Sequence, residues 1–141
     1  MTVRIRLAAA DDADAACAID ARVRDSPGRR PYIERAIAAS ECHIAVDGGA
    51  IVGYAVFDRA LYEQPFISLL VVDQSQRRRG IGAALMRHIE SICPEEKLFT
   101  STNESNAPMR RLCEKLGFVQ SGHIENLDDD DPEIVYFKRL R

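Results

Sequence analysis

Tryptophan is absent from the 141 residues, and aromatic side chains make up only 6% of them. That scarcity bears on nucleic acid. Single-strand binding surfaces interleave aromatics with basic residues, and none accompanies the chain's basic block, Arg77-Arg78-Arg79. A basic excess is missing as well: 19 Lys and Arg stand against 22 Asp and Glu, a formal net charge of -3, whereas nucleic-acid-binding domains are usually basic overall. No nucleic-acid partner is expected. Nothing approaches the about 18–20 apolar residues that a helix needs to cross a bilayer, and the start, MTVRIRL, has neither the apolar core nor the cleavage site of a secretory signal. A cytoplasmic protein without a membrane partner is the expectation. Cysteine is sparse. Cys17, Cys42, Cys93 and Cys113 form no C-x-x-C pair and stand at no zinc-ligand spacing with His43, His88 or His123, which predicts reduced thiols and no metal.

What is present is the balance of an ordinary globular chain, 46% hydrophobic and 29% charged. The length suits one domain over residues 1–141. Thr2 to Leu7 alternates Val3, Ile5 and Leu7 with polar residues, the period of a half-buried strand. Asp11 or Asp12 can cap a following helix with Ala16, Ile19 and Val23 at helical spacing, broken by Asp25-Ser26-Pro27-Gly28. A second helix starts near Pro31 and buries Ile33, Ala36 and Ile37. Two strands, His43–Val46 and Ile51–Phe57, flank the turn signal Asp47-Gly48-Gly49. Phe66 to Val72 is a nearly continuous apolar run, as in a strand covered on both faces. A helix from about Gly80 to Ile92 carries Ile81, Ala84, Leu85, His88, Ile89 and Ile92 on one stripe. Lys97–Thr102 reads as a strand, and Asn106–Leu116 as a helix with Met109, Leu112, Cys113 and Leu116 aligned, closed by Gly117. Two last strands, Phe118–Ile124 and Ile134–Phe137, are joined across an acidic turn. The order β, α, α, β, β, β, α, β, α, β, β predicts one α/β domain with a mixed sheet.

The richest segment is Leu70 to Gly82, where a buried strand ends, a polar turn follows and a helix opens among two glycines. Unpaired N–H groups at a helix start, with its dipole, form an anion site. Glycine removes the Cβ that would keep a bulky phosphate from the backbone. The segment lacks the third glycine of the dinucleotide fingerprint and the Gly-Lys-Ser/Thr ending of a P-loop. Arg77-Arg78-Arg79-Gly80-Ile81-Gly82 resembles instead the Arg/Gln-x-x-Gly-x-Gly/Ala signature of the GNAT superfamily of N-acetyltransferases. Further on, the segment from Asn106 to Phe118 resembles that family's Asn-led helix ending in Leu-Gly-Phe, at fitting spacing.

The resemblance implies a single GNAT-like domain, with a mixed, mostly antiparallel sheet of about seven strands flanked by helices. Two parallel central strands splay to admit the cofactor. It implies acetyl-CoA as acyl donor, no metal, and direct transfer of the acyl group to a primary amine, chemistry of EC 2.3.1 type. Cofactor binding falls on Leu70, Val71, Val72, Arg77, Arg78, Arg79, Gly80, Ile81, Gly82, Ala83 and Asn106. A backbone N–H near Val71 or Val72 polarises the thioester. Where many relatives carry a tyrosine that protonates the leaving thiolate, this chain has Cys113, either a weak general acid or a small core residue. Some relatives place a glutamate base on the strand before the Asn-led helix; here that strand offers none. Glu104, just outside it, is the candidate named, with Tyr62, Glu63 and His123 behind. The run Asp128–Asp131 is either a solvated turn or a wall that concentrates a cationic acceptor. The acceptor is a small molecule or a protein amine, the molecule a monomer or a homodimer. The competing reading is a non-catalytic acyl-CoA-binding module of the same fold.

Overall fold

A computed structural model describes residues 3–24 and 29–141, so the expected break at Asp25–Gly28 lies outside the described residues. The elements are β1 (Arg4–Leu7), α1 (Ala13–Arg24), α2 (Arg30–Ala38), β2 (Cys42–Asp47), β3 (Ala50–Leu61), β4 (Gln64–Val72), α3 (Ile81–Ile92), β5 (Lys97–Asn103), α4 (Ala107–Lys115), β6 (Val119–Ile124) and β7 (Glu133–Arg139), with 3-10 turns at Ala10–Asp12 and Gln74–Gln76. The strands form one seven-stranded mixed sheet in the order β1-β2-β3-β4-β5-β7-β6. Only β4 and β5 run parallel, paired at Phe66↔Phe99 and Ile67↔Thr100. The expected α/β class, strand number and parallel pair are those observed.

The chain falls into two compact units. The first comprises residues up to Phe57 and Leu69–Ser91. Its core packs Ala16 and Ile19 of α1 and Ile33, Ala36 and Ile37 of α2 against Ile44, Tyr54 and Val56 of the sheet. The helical spacing of those apolar positions selects the buried face. A polar lock lies within it: the Tyr54 hydroxyl donates to Asp20 (2.7 Å), and Arg29 pairs with the same carboxylate (2.8 Å). A buried carboxylate so paired avoids the cost of an isolated charge.

The second unit holds Asp58–Ser68 and Ile92–Arg141. There β5 pairs with β7 along its whole length, from Lys97↔Arg139 to Asn103↔Glu133, and β7 pairs with β6. Leu98, Cys113, Phe118, Ile134 and Tyr136 are buried. Gly117, at φ 91°, closes α4 in the left-handed region, as its terminal position requires.

Several expectations need adjustment. Leu7 is 48% exposed and Ile92 44%, because both lie at the ends of their elements, past the packed stretch. α3 buries Ala83 and Met86 beside Ile81, Leu85 and Ile89, while Ala84 and His88 are half-buried. β4 alternates rather than being covered evenly: Pro65, Ile67 and Val71 are buried and its other residues half-buried. The Asp12 carboxylate accepts from the Ala9 N–H (2.7 Å) and from Arg6 (2.8 Å), capping the 3-10 turn ahead of α1 rather than α1 itself. A second hairpin carries no sequence signal of its own. β3 runs on to Leu61 and turns through Tyr62 and Glu63, at φ 50° and 62°, into β4. A two-residue type I′ turn usually carries Asn-Gly, and Tyr-Glu departs from that pattern.

Candidate active site

The turn after β4 is held from several sides. The Asp73 N–H donates to the Val52 carbonyl (2.9 Å), and its carboxylate accepts from Arg22 (3.1 Å). Gly53 lets the start of α3 come close: a Cβ there would stand 3.0 Å from the Val71 carbonyl oxygen and 3.3 Å from Ile81 Cγ2. Arg78 and Gly80 take positive φ, 68° and 78°. The first i→i−4 bond of α3 runs from the Ala84 N–H to the Gly80 carbonyl (2.9 Å). The N–H groups of Ile81, Gly82 and Ala83 precede it, and these are the donors that a helix leaves without an intrahelical acceptor. Donors converging at a helix start, beside glycine and exposed arginines, fit a diphosphate.

The three arginines are not equivalent. All are exposed, but Arg79 is paired with Asp47 (2.9 Å) and hydrogen-bonded to Gln76. Leu70 and Val72 are half-buried and Val71 is buried. The same unit holds His43, which is 5% exposed, with its ring centroid 5.4 Å from that of His88. Burial, and to a lesser degree His88, pushes the His43 imidazole down to about 4.

In the second unit Asn106 is the N-cap of α4. Its Oδ1 accepts from the Met109 N–H (3.2 Å), satisfying a donor at the helix start. Glu104 lies in the exposed turn before it, where its N–H donates to the Pro132 carbonyl and its carbonyl accepts from Arg110. Cys113 is fully buried, and burial pushes its thiol up to about 12. The neighbouring turn of α4 directs Arg110 Nε to the hydroxyl of buried Tyr136 (3.1 Å). Tyr62, 89% exposed, and Glu63 sit at the hairpin tip, and His123 is exposed on β6.

The acidic run divides in two. Asp131 accepts from the Ser105 N–H (3.0 Å) and hydroxyl (2.6 Å), and Asp128 from Asn103 Nδ2 (2.8 Å). Asp129 and Asp130 are exposed. Half of the run therefore clamps the turn that leads into Asn106. Two further carboxylates escaped sequence reasoning. Ser68 Oγ donates to Asp58 Oδ2 (2.8 Å), and Ser101 Oγ to Glu133 Oε2 (2.7 Å). Both contacts depend on cross-strand register, for which a single sequence carries no signal. Among the described residues, no three of His, Cys, Asp or Glu gather as a metal site. Among them, too, no helix is long and apolar enough to cross a membrane.

A turn of this kind between a strand and a helix start is an anion cradle. The acetyltransferase (GNAT) family model matches residues 10–118, and the chain belongs to that family. A GNAT-family acetyltransferase from Bacillus cereus superposes with TM-score 0.93 and 35% identity, covering 99% of this chain and 98% of that one. The protein yncA from Salmonella typhimurium, solved with acetyl-CoA, shares the fold at TM-score 0.80 and 16% identity, over 100% of this chain and 95% of that one. N-alpha-acetyltransferase 30 from Xenopus laevis is 32% identical over 92 residues, 59% of this chain and 33% of that protein. The chain thus spans a quarter to a third of the length of the curated relatives it matches.

Proposed function

We propose that the protein is an N-acetyltransferase that moves the acetyl group of acetyl-CoA onto a primary amine by direct attack, with no acyl-enzyme. The observation that carries this reading is the cradle at Gly80–Ala83, with its helix-start N–H groups and flanking Arg77 and Arg78. In this reading the diphosphate rests there, and the pantetheine extends along Leu70–Val72. Holding the two reactants in register contributes proximity, which removes part of the entropic barrier. The similarity to N-alpha-acetyltransferase 30 makes an N-terminal α-amine the first acceptor to test.

The experiment combines a thermal melt with an acceptor panel. At about 100 times its Kd, acetyl-CoA should stabilise the protein by about 2.7 kcal/mol, and Gly82→Val should abolish the shift while leaving the fold intact. Lysine-free peptides with a free N-terminus, lysine peptides with a blocked one, and spermidine should separate the acceptor classes by thiol release and acetyl mass gain. A melt that ignores acetyl-CoA would end the reading. A second reading, a non-catalytic acyl-CoA-binding module, is favoured by the fully buried Cys113 at the position of the family's tyrosine. It predicts the thermal shift with no thiol release on any amine.

A further inference from the structure

Gly53 lies inside β3, opposite Ala45 of β2. Glycine in a strand interior weakens the strand, and where it stands another part of the chain often comes close. Among the described residues, Gly48, Gly49, Gly80, Gly117 and Gly122 take positive φ, and Gly53 does not. Conformation therefore does not call for glycine at position 53. Space does. A Cβ there would meet three groups of its own compact unit: the Val71 carbonyl oxygen at 3.0 Å, Ile81 Cγ2 at 3.3 Å and Leu85 Cδ1 at 3.5 Å. At Gly48 and Gly49 the same atom would meet nothing within 4 Å.

The three neighbours differ in how they can yield. Leu85 Cδ1 is already at an ordinary contact distance and is the far end of a flexible side chain. The Val71 carbonyl belongs to a strand end fastened to β3 one residue from Gly53, where the Asp73 N–H donates to the Val52 carbonyl (2.9 Å). That leaves Ile81. Its side chain is 1% exposed, and a β-branched residue in a helix keeps nearly a single χ1 rotamer. Its Cγ2 is thus fixed relative to its own backbone, and a push on that methyl moves residue 81 as a whole. Ile81 opens α3, and its N–H is one of the helix-start donors without an intrahelical acceptor.

We propose that Gly53 is the positioning residue that seats the diphosphate cradle, acting through Ile81. The assignment rests on the N-acetyltransferase reading above. With no Cβ at residue 53, the first turn of α3 settles directly against β3, beside the end of β4. An added methyl displaces that turn by a few tenths of an ångström. Hydrogen bonds from N–H groups to anionic oxygens are short, about 2.7–2.9 Å, so a shift of that size costs the diphosphate a donor. The role of Gly53 is to place the backbone that holds the donor, not to touch it.

The test titrates CoA and acetyl-CoA calorimetrically into the wild type, Gly53→Ala, Ile81→Leu and the double variant, read as a cycle. Gly53→Ala should raise both Kd values about tenfold, the loss of one hydrogen bond to a charged group. With a lysine-free peptide of free N-terminus as acceptor, the loss should fall on the acetyl-CoA KM and leave kcat near wild type. Leucine has no branch at Cβ, so beside Ile81→Leu the added methyl finds room. In that background Gly53→Ala should change Kd by much less than that factor. Wild-type Kd values in Gly53→Ala, or a deficit undiminished in the double variant, overturn the assignment and leave the N-acetyltransferase reading standing. So does a ligand-free melt showing that Gly53→Ala does not fold, because the contact would then serve the whole unit and not the cradle. A wild-type protein that binds neither CoA nor acetyl-CoA overturns both.

Discussion

Cys113 is buried at the position where many relatives carry a tyrosine acid, and burial holds its thiol protonated across the physiological range. A protonated thiol is a weak donor, and the CoA thiolate, with a solution pKa near that of cysteine at about 8.5, leaves tolerably without help. Cys113→Ala is therefore expected to keep kcat within about tenfold of wild type. A loss above about a thousandfold would make the thiol an obligatory acid. His43 has the opposite chemistry. Its folded pKa, about 4, lies below the ordinary 6.5, so the unfolded chain binds the extra proton first. His88, the imidazole beside it, is likewise pushed down by burial. The contribution of His43 to stability is thus present above about pH 6.5 and lost as pH falls from there toward 4. Melting temperatures measured over that window should decline, and His43→Leu should flatten the decline. An unchanged slope in the variant would remove His43 as its source.

At the scale of elements, the β6–β7 loop and the β5–α4 turn act as one piece. Asp131 and Asp128 hold Ser105 and Asn103, and Asn106 caps α4 immediately after. Asp131→Asn should therefore lower stability by about 1–2 kcal/mol, the scale of a lost charge-assisted hydrogen bond, and should raise the acetyl-CoA KM. Asp129→Asn with Asp130→Asn should leave stability unchanged and raise only the KM of a cationic acceptor, an effect that fades with salt. Equal behaviour of the two variants would merge the two roles. This division marks the boundary of what is legible in the sequence. The helices, the hairpin at Gly48-Gly49 and the two motifs can be read because period and turn chemistry are local. That Asp131 faces Ser105 and that Arg79 faces Asp47 are meetings of segments far apart in the chain, and that Glu133 lies beside Ser101 is a fact of strand register; neither is encoded in a local period. The Tyr62–Glu63 turn is illegible for another reason: its residues oppose the backbone they adopt.

For the whole molecule, that hairpin tip has an energetic meaning. An L-residue in the left-handed region costs about 1–2 kcal/mol, and Tyr62 and Glu63 occupy it in succession. Native domains are stable by only about 5–15 kcal/mol, so two such residues claim a sizeable share of the margin. The double substitution Tyr62→Asn with Glu63→Gly should raise the melting temperature by several degrees, and a melt that does not move would mean the turn is not strained. Because the phenol reaches solvent at 89% exposure, nothing in the core depends on it. The tip is a place where conformational ease has been exchanged for an aromatic ring and a carboxylate presented to solvent, and it leaves the fold a reserve of stability that two surface substitutions can release.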